Sequence, residues 1–265
     1  MQTRPLRRFA RERTRLLRRS LLGVLAVVLV GLYLGLPSVQ PVAARSGLQF
    51  IERTTRGAAQ NAKDSALPML VVLHGLGDSP ENFVGLFEEL AVPARIIAVR
   101  APDPWGQGTS WYPIDADAQR KSRQILARAD AVASLIAELR AARPTRGKPV
   151  VSGFSQGGVL SFAMASYHAA ELQAAVPIAG SLPEGLPAPK KPPQGFSVLA
   201  FHGEKDARIP VRDGERTFER LKQAGYKGSI ITFPGLGHGV NAAMHAHLTA
   251  ALNELLDLAS ASKSP

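Results

Sequence analysis

The sequence predicts an α/β protein, a mostly parallel, doubly wound sheet covered by helices on both faces. Three observations predict it. From residue 48 onward, short β-rich apolar runs alternate with longer helical stretches, the pattern of repeated strand–helix–strand units. The strand runs, such as Met69–Leu73 (MLVVL), are apolar throughout rather than alternating in polarity, as expected of strands buried on both faces. The chain has 265 residues, 45% of them hydrophobic and 20% charged, enough for one large core of ordinary globular composition. Neither an internal repeat nor a second globular domain is legible.

In order, Leu48–Thr54 reads as the opening strand and Met69–Leu73 as the next. The latter ends in His74-Gly75-Leu76-Gly77-Asp78. Ser79 and Pro80 then read as the N-cap and first residue of a helix to about Leu90. Arg95–Val99 is a strand. The segment 101–118 is expected to be a long irregular loop, with Pro102, Pro104, Gly106, Gly108 and Pro113 interleaved with Trp105, Trp111 and Tyr112. A loop of that length in a compact domain points to function. Ile125, Ala129, Val132, Ile136 and Leu139 recur at helical spacing, giving a helix over about 119–142 that Pro144 closes. Strands follow at Val150–Gly153, Ala174–Ile178, Ser197–Phe201 and Ser229–Phe233. Helices are expected at about 156–170, 212–224 and 240–258. Pro183–Gln194 is Pro-rich and short, a loop rather than a linker.

One strand-to-helix junction stands out. Val150-Val151-Ser152-Gly153-Phe154-Ser155-Gln156-Gly157-Gly158 has the form apolar strand, G-x-S-x-G, apolar helix, the sequence form of a nucleophile elbow. In such a turn the serine sits where neighbouring backbones come too close for a Cβ, hence the glycines. The helix N-terminus beneath it favours negative charge developing nearby.

A serine hydroxyl becomes a useful nucleophile only when a base takes its proton, and that base needs a carboxylate to fix its tautomer. Where the serine sits on such a nucleophile elbow, the chain order is serine, acid, histidine. His168 falls inside the helix that Ser155 begins and cannot reach back to its start. His74 and His202 each end a strand in a His-Gly pair and read as structural turn positions. His245 and His247 are two apart on a helix, on divergent faces, so they cannot share a metal. His238, in Pro234-Gly235-Leu236-Gly237-His238-Gly239 after the last strand, is the best base. Asp206, just past a strand end in His202-Gly203-Glu204-Lys205-Asp206, is the best acid; Glu204 is the nearer competitor and Asp213 falls inside the next helix. Two preorganised N–H donors are then needed for the developing oxyanion. Gln156, following the serine, supplies one. Leu76, flanked by Gly75 and Gly77 after the Met69–Leu73 strand, supplies the other.

The set LHGLGD (73–78), GTSWY (108–112), GFSQGG (153–158), HGEKDARIP (202–210) and GLGHGV (235–240) resembles the phospholipase/carboxylesterase family of α/β-hydrolases, which includes bacterial carboxylesterases and acyl-protein thioesterases. The resemblance runs from about Leu67 to Leu256 with all motifs in family order. It implies the α/β-hydrolase fold without a large lid domain, and Ser155, Asp206 and His238 as a catalytic triad. The backbones of Leu76 and Gln156 would form the oxyanion hole, with no metal or cofactor. The expected activity is hydrolysis of carboxylic esters, with lysophospholipase or thioesterase action as the alternative and a silent binding module on the same fold as a further one. Trp105, Trp111 and Tyr112 are expected to line the substrate groove. The chain departs from the family where Tyr112-Pro113-Ile114 precede Asp115, the family often having its acidic residue sooner. The 265 residues include no cysteine, which excludes a thiol nucleophile and disulfides and leaves the redox compartment open.

Charge and the N-terminal segment belong together. Eight arginines against Glu12 place +7 of the formal +11 within the first twenty residues, leaving +4 for the rest. A mildly basic domain with no basic repeat or aromatic platform makes no case for nucleic-acid binding. Leu21–Leu36 (LLGVLAVVLVGLYLGL) is apolar throughout, with no polar face for an amphipathic helix. Two readings stand. As a signal peptide, a basic n-region and this apolar stretch precede Val42-Ala43-Ala44 as a small-residue cleavage site. As a retained anchor, the segment approaches the ~20 residues a spanning helix needs when extended through Val39. The arginines stay cytoplasmic in either case, so both readings export the domain that follows, 45–265, and the anchor reading attaches it to the membrane.

Overall fold

The structure is a computed structural model. It describes residues 46–56, 66–114 and 117–261, together with the backbone of Val42 and Ala43. The apolar segment Leu21–Leu36 lies outside the described residues. Among the described residues no helix is long and apolar enough to cross a membrane.

An eight-stranded sheet organises the chain. Its strands are β1 (Val42–Ala43), β2 (Gln49–Thr54), β3 (Met69–Leu73), β4 (Arg95–Arg100), β7 (Val150–Phe154), β8 (Ala174–Ile178), β9 (Ser197–Gly203) and β10 (Lys227–Phe233). They lie side by side in the order β1-β2-β4-β3-β7-β8-β9-β10. β1 and β2 run antiparallel to their neighbours, and β3, β4 and β7 to β10 are parallel. A two-stranded hairpin of β5 (Asp103–Trp105) and β6 (Gly108–Ser110) stands apart from the sheet. The helices are α1 (Pro80–Phe83), α2 (Ala118–Ala142), α3 (Gln156–His168), α4 (Val211–Gln223) and α5 (Ala242–Ala261).

Alternate strand residues feed two separate cores, because successive side chains in a strand point to opposite faces. Met69, Val71, Leu73, Ile97, Val99 and Val151 pack against α2, α3 and α4 through Ile125, Val132, Leu160, Phe162 and Phe218. Leu70, Val72, Ile96, Ala98, Val176 and Phe201 pack on the other face against Phe83, Phe87, Met244, Leu248, Leu252 and Leu256. Eleven residues of α3, Gln156 through Ser166, are buried, which is why that helix reads apolar all round rather than amphipathic.

Element by element, the sequence reading and the structure differ in two places. The helix expected from Pro80 to about Leu90 is a single α-turn to Phe83 followed by a 3-10 turn, Val84–Leu86. Gly85 interrupts helical propensity there, while Phe83, Val84, Phe87 and Leu90 still reach the core. The expected irregular loop contains the β5–β6 hairpin, in which Trp105 pairs with Gly108 across a two-residue turn where Gly106 has φ 57°. Pro102 and Pro104 read as strand breakers, yet a two-stranded ribbon has only edges, where proline is tolerated.

Parallel strands place their C-terminal ends along one edge of a sheet. The loops leaving β3, β7, β9 and β10 therefore meet there, as in other open α/β sheets.

Candidate active site

Ser155 begins the site. It follows β7 directly, with φ 56° and ψ −114°, a conformation that strains any residue with a Cβ by roughly 1–3 kcal/mol. The surroundings hold it there. Its N–H donates to Ile178 O at 3.0 Å, and its carbonyl accepts the first bond of α3 from Val159 N at 2.9 Å. The flanking glycines are required by approach: a Cβ on Gly157 would stand 1.8 Å from Leu73 O, and one on Gly153 2.5 Å from Gly157 O.

The loop after β10 brings His238 to the serine. Ser155 Oγ–H donates to His238 Nε2 at 2.8 Å, and His238 Nδ1 lies 2.7 Å from Asp206 Oδ2. Asp206 Oδ1 accepts from the backbone N–H of Arg208 and Ile209, both at 2.9 Å. Burial pushes the Asp206 carboxyl up, but the His238 hydrogen bond and the Ile209 and Arg208 N–H groups outweigh it and hold it below the usual aspartate value. An ionised carboxylate accepts and cannot donate. His238 therefore carries its proton on Nδ1 and leaves Nε2 as the acceptor facing Ser155. The Phe154 ring packs on the imidazole at 4.9 Å between centroids.

The competing acids and three of the other histidines go elsewhere. Glu204 Oε1 accepts from Thr232 Oγ1, and Asp213 pairs with Arg216. His168 meets Asp130, His245 lies against Leu86 O, and His247 packs edge-on to Phe233.

The loop after β3 passes directly over the serine: a Cβ on Gly75 would lie 3.5 Å from Ser155 Cβ. Among the described residues, the N–H groups of Leu76 and Gln156 donate to no other group. His74, fully buried, sets the orientation of this loop. Ala101 N–H donates to its Nε2 at 3.1 Å, so the ring proton is on Nδ1, which donates to Gly75 O at 2.7 Å. Burial lowers the His74 pKa below the ordinary imidazole value, with the Gly75 hydrogen bond and Asp78 opposing. The ring is thereby held neutral, as its acceptor role at Nε2 requires. Gly75 O and Leu76 N–H belong to one planar trans peptide and point in opposite directions, so the grip on the carbonyl turns the N–H away from His74. The β5–β6 hairpin locks the same loop, through Gly77 N to Thr109 O at 2.9 Å and Thr109 N to Asp78 O at 3.1 Å.

The three aromatic residues expected to line a groove separate. Trp105 is 42% exposed at the hairpin tip, its Cδ1 only 3.3 Å from where a Cβ on Gly77 would be. Trp111 is fully buried, its Nε1 donating to His74 O at 2.9 Å, and Tyr112 is 7% exposed. Those two therefore do not line an open groove. Trp111 lies in the core under the β3 loop because its indole N–H finds a backbone partner there. Burial pushes the Tyr112 hydroxyl pKa well above its usual range.

Sequence reasoning missed what fastens this segment. The Gln156 side-chain amide, 5% exposed as a residue, accepts from Trp111 N at 2.9 Å and donates to Tyr112 O at 2.9 Å. Arg128 on α2 donates to Trp111 O and pairs with Asp103 of the hairpin. The one signal in the sequence is a glutamine at the first turn of a largely apolar helix.

A serine on a strained strand-to-helix turn of an open, mostly parallel sheet, bonded to a histidine from the loop after the last strand, defines the α/β-hydrolase class. Within that class the chain belongs to the phospholipase/carboxylesterase family, whose family model matches residues 56–255. Its relatives include an acyl-protein thioesterase 1 homologue of Dictyostelium discoideum, 26% identical over 64% of this chain and 82% of the relative. Another is a Salmonella typhimurium protein provisionally named a carboxymethylenebutenolidase, 27% identical over 70% and 72%. The fold is shared with a Bacillus cereus carboxylesterase (TM-score 0.68, 16% identity, 80% of this chain and 96% of that one). It is shared too with Zea mays acyl-protein thioesterase 2 (TM-score 0.60, 22% identity, 78% and 98%). The protein is thus a hydrolase of the esterase/thioesterase type.

Proposed function

We propose that the protein is a serine esterase that hydrolyses carboxylic esters through an acyl-enzyme. One observation carries the reading: the hydrogen-bonded chain Ser155 Oγ, His238 Nε2, His238 Nδ1 and Asp206 Oδ2, with separations of 2.8 and 2.7 Å. Ser155 Oγ attacks the ester carbonyl as His238 Nε2 takes its proton. The imidazolium formed is stabilised by the Asp206 carboxylate. The tetrahedral oxyanion is met by Leu76 N–H and Gln156 N–H, the latter also at the N-terminus of α3. His238 then returns the proton to the leaving alkoxide, leaving an acyl-Ser155. Water repeats the sequence, with His238 as base toward water, and releases the acid. None of these steps draws on a metal or cofactor.

Trp105 offers an apolar face beside the Leu76–Gly77 turn for the acyl or alcohol part of a substrate. Thioesters undergo the same acyl transfer, and the acyl-protein thioesterase relative makes them the second class to test. The arginine-rich start followed by Leu21–Leu36 supports export of the domain, cleaved or anchored.

The test is reaction with a fluorophosphonate probe alongside a panel of p-nitrophenyl esters of rising chain length, a lysophospholipid and a thioester. The wild-type protein should label and hydrolyse at least the short esters. Ser155→Ala should fold normally, fail to label and lose several orders of magnitude in kcat. Near-wild-type turnover in Ser155→Ala would overturn the reading.

A further inference from the structure

We propose that His202 is a positioning residue for the acid of this site, holding the 204–210 loop so that Asp206 meets His238 in line. The inference rests on the esterase reading above. His202 is the penultimate residue of β9, 1% exposed, and its Nε2 lies 2.8 Å from Ile209 O and 3.4 Å from Asp206 Oδ2. Both neighbours are oxygens that only accept, so Nε2 carries the proton. It donates to the carbonyl of Ile209 and leans its remaining positive edge toward the carboxylate.

The arrangement closes the loop from two sides. Asp206 Oδ1 takes the N–H groups of Arg208 and Ile209, while His202 takes the carbonyl of that same Ile209. The carboxylate is thus fixed in rotation, with Oδ2 left for His238. Remove the His202 donor and the part-buried Ile209 O loses its partner, a loss that the loop recovers by turning outward to water. That movement carries Asp206 with it.

A second observation, from a different element, points to the same ring. Gly214 lies inside helix α4, where glycine is less favourable than alanine. A Cβ there would come 2.8 Å from His202 Nδ1 and 3.2 Å from Gly180 O. The helix gives up propensity at the position where the imidazole must fit.

Two variants test the proposal by separate routes. His202→Phe keeps an aromatic ring, somewhat larger than the imidazole, and removes the N–H; Gly214→Ala keeps the N–H and pushes the ring. Each should lower kcat for a short p-nitrophenyl ester by about tenfold to a hundredfold, the scale of a misplaced catalytic group, with KM changed less than about twofold relative to that scale. His202→Gln, whose amide nitrogen reaches about as far as Nε2, should recover most of the loss. A readout that needs no turnover is the downfield proton resonance of His238 Nδ1–H, assigned by its loss in His238→Gln. It should shift or broaden away in His202→Phe and Gly214→Ala and return in His202→Gln. Loss of wild-type turnover would strike the esterase reading, while the resonance decides the role of His202 alone. An unchanged resonance and unchanged kcat in both variants, each folded by circular dichroism, would overturn the proposal.

Discussion

At the scale of single residues, His74 shows how burial and partners set protonation. His74 is buried and used as an acceptor at Nε2, and its pKa is lowered from 6.5 chiefly by burial. In the unfolded chain the ring titrates near ~6.5, so the unfolded state binds the proton first as pH falls. The neutral, buried ring therefore contributes its full stability above about pH 6.5, loses it progressively as pH falls toward its depressed folded value, and changes nothing below that. Thermal unfolding across pH 5–8 should show a declining Tm on acidification. In His74→Gln that part of the slope should vanish, while the protein is less stable at pH 8 by about 1–3 kcal/mol because Gly75 O loses its donor, the Gln amide reaching only to the Nε2 position that faces Ala101 N–H. An identical pH slope in His74→Gln would show that another group is responsible.

At the scale of elements, the β7–Ser155–α3 junction is tightly constrained by backbone approach. The strain at Ser155 persists because Gly157 lets α3 press against the end of β3, with Leu73 O where a side chain would otherwise begin. That neighbour is backbone in a central strand and cannot swing away. Gly157→Ala should therefore fall at or beyond the top of the ~1–3 kcal/mol usual for overpacking. For a domain of this size that lowers Tm by about 6 °C or more, and ester hydrolysis should be lost with it. A Gly157→Ala protein with wild-type Tm in differential scanning calorimetry would mean that the strand and helix are not held this closely in solution.

At the scale of the whole molecule, the question is where the folded domain begins. The chain from Pro41 to Pro265 forms one compact unit. Its edge strand β1 pairs Val42 with Phe50 and Ala43 with Gln49. Cleavage after Ala44 would remove that strand, leaving β2 as the edge. Proteins beginning at Pro41 and at Arg45 should both be soluble and hydrolyse the same esters, since all site residues lie on later elements. The first should have the slightly higher Tm, because a two-residue edge strand adds only a few hydrogen bonds of ~0.5–1.5 kcal/mol each. In a Gram-negative host the full-length protein should fractionate outside the cytoplasm. A mature N-terminus at Arg45 would mean a signal peptide, and a full-length product released only by detergent an anchor. An insoluble or inactive protein from Arg45 would place the domain start earlier.

By itself, the sequence determined the fold class and the elbow. Continuous apolar strands and periodic helices are local consequences of burial, so Met69–Leu73, Ala174–Ile178 and the helix near 119–142 could be read from spacing. The crowding at Ser155 shows in its own flanking glycines. Tertiary structure decided everything that depends on distant segments meeting. It brought Asp206 and His238 to the serine across a sheet edge that only the strand order defines. It buried Trp111 and Tyr112 under Gln156, and left Trp105 exposed, although the three look alike in sequence. It turned two His-Gly pairs into supports for different loops. A side chain's hydrogen-bond partners come from elements far along the chain, and periodicity carries no record of them.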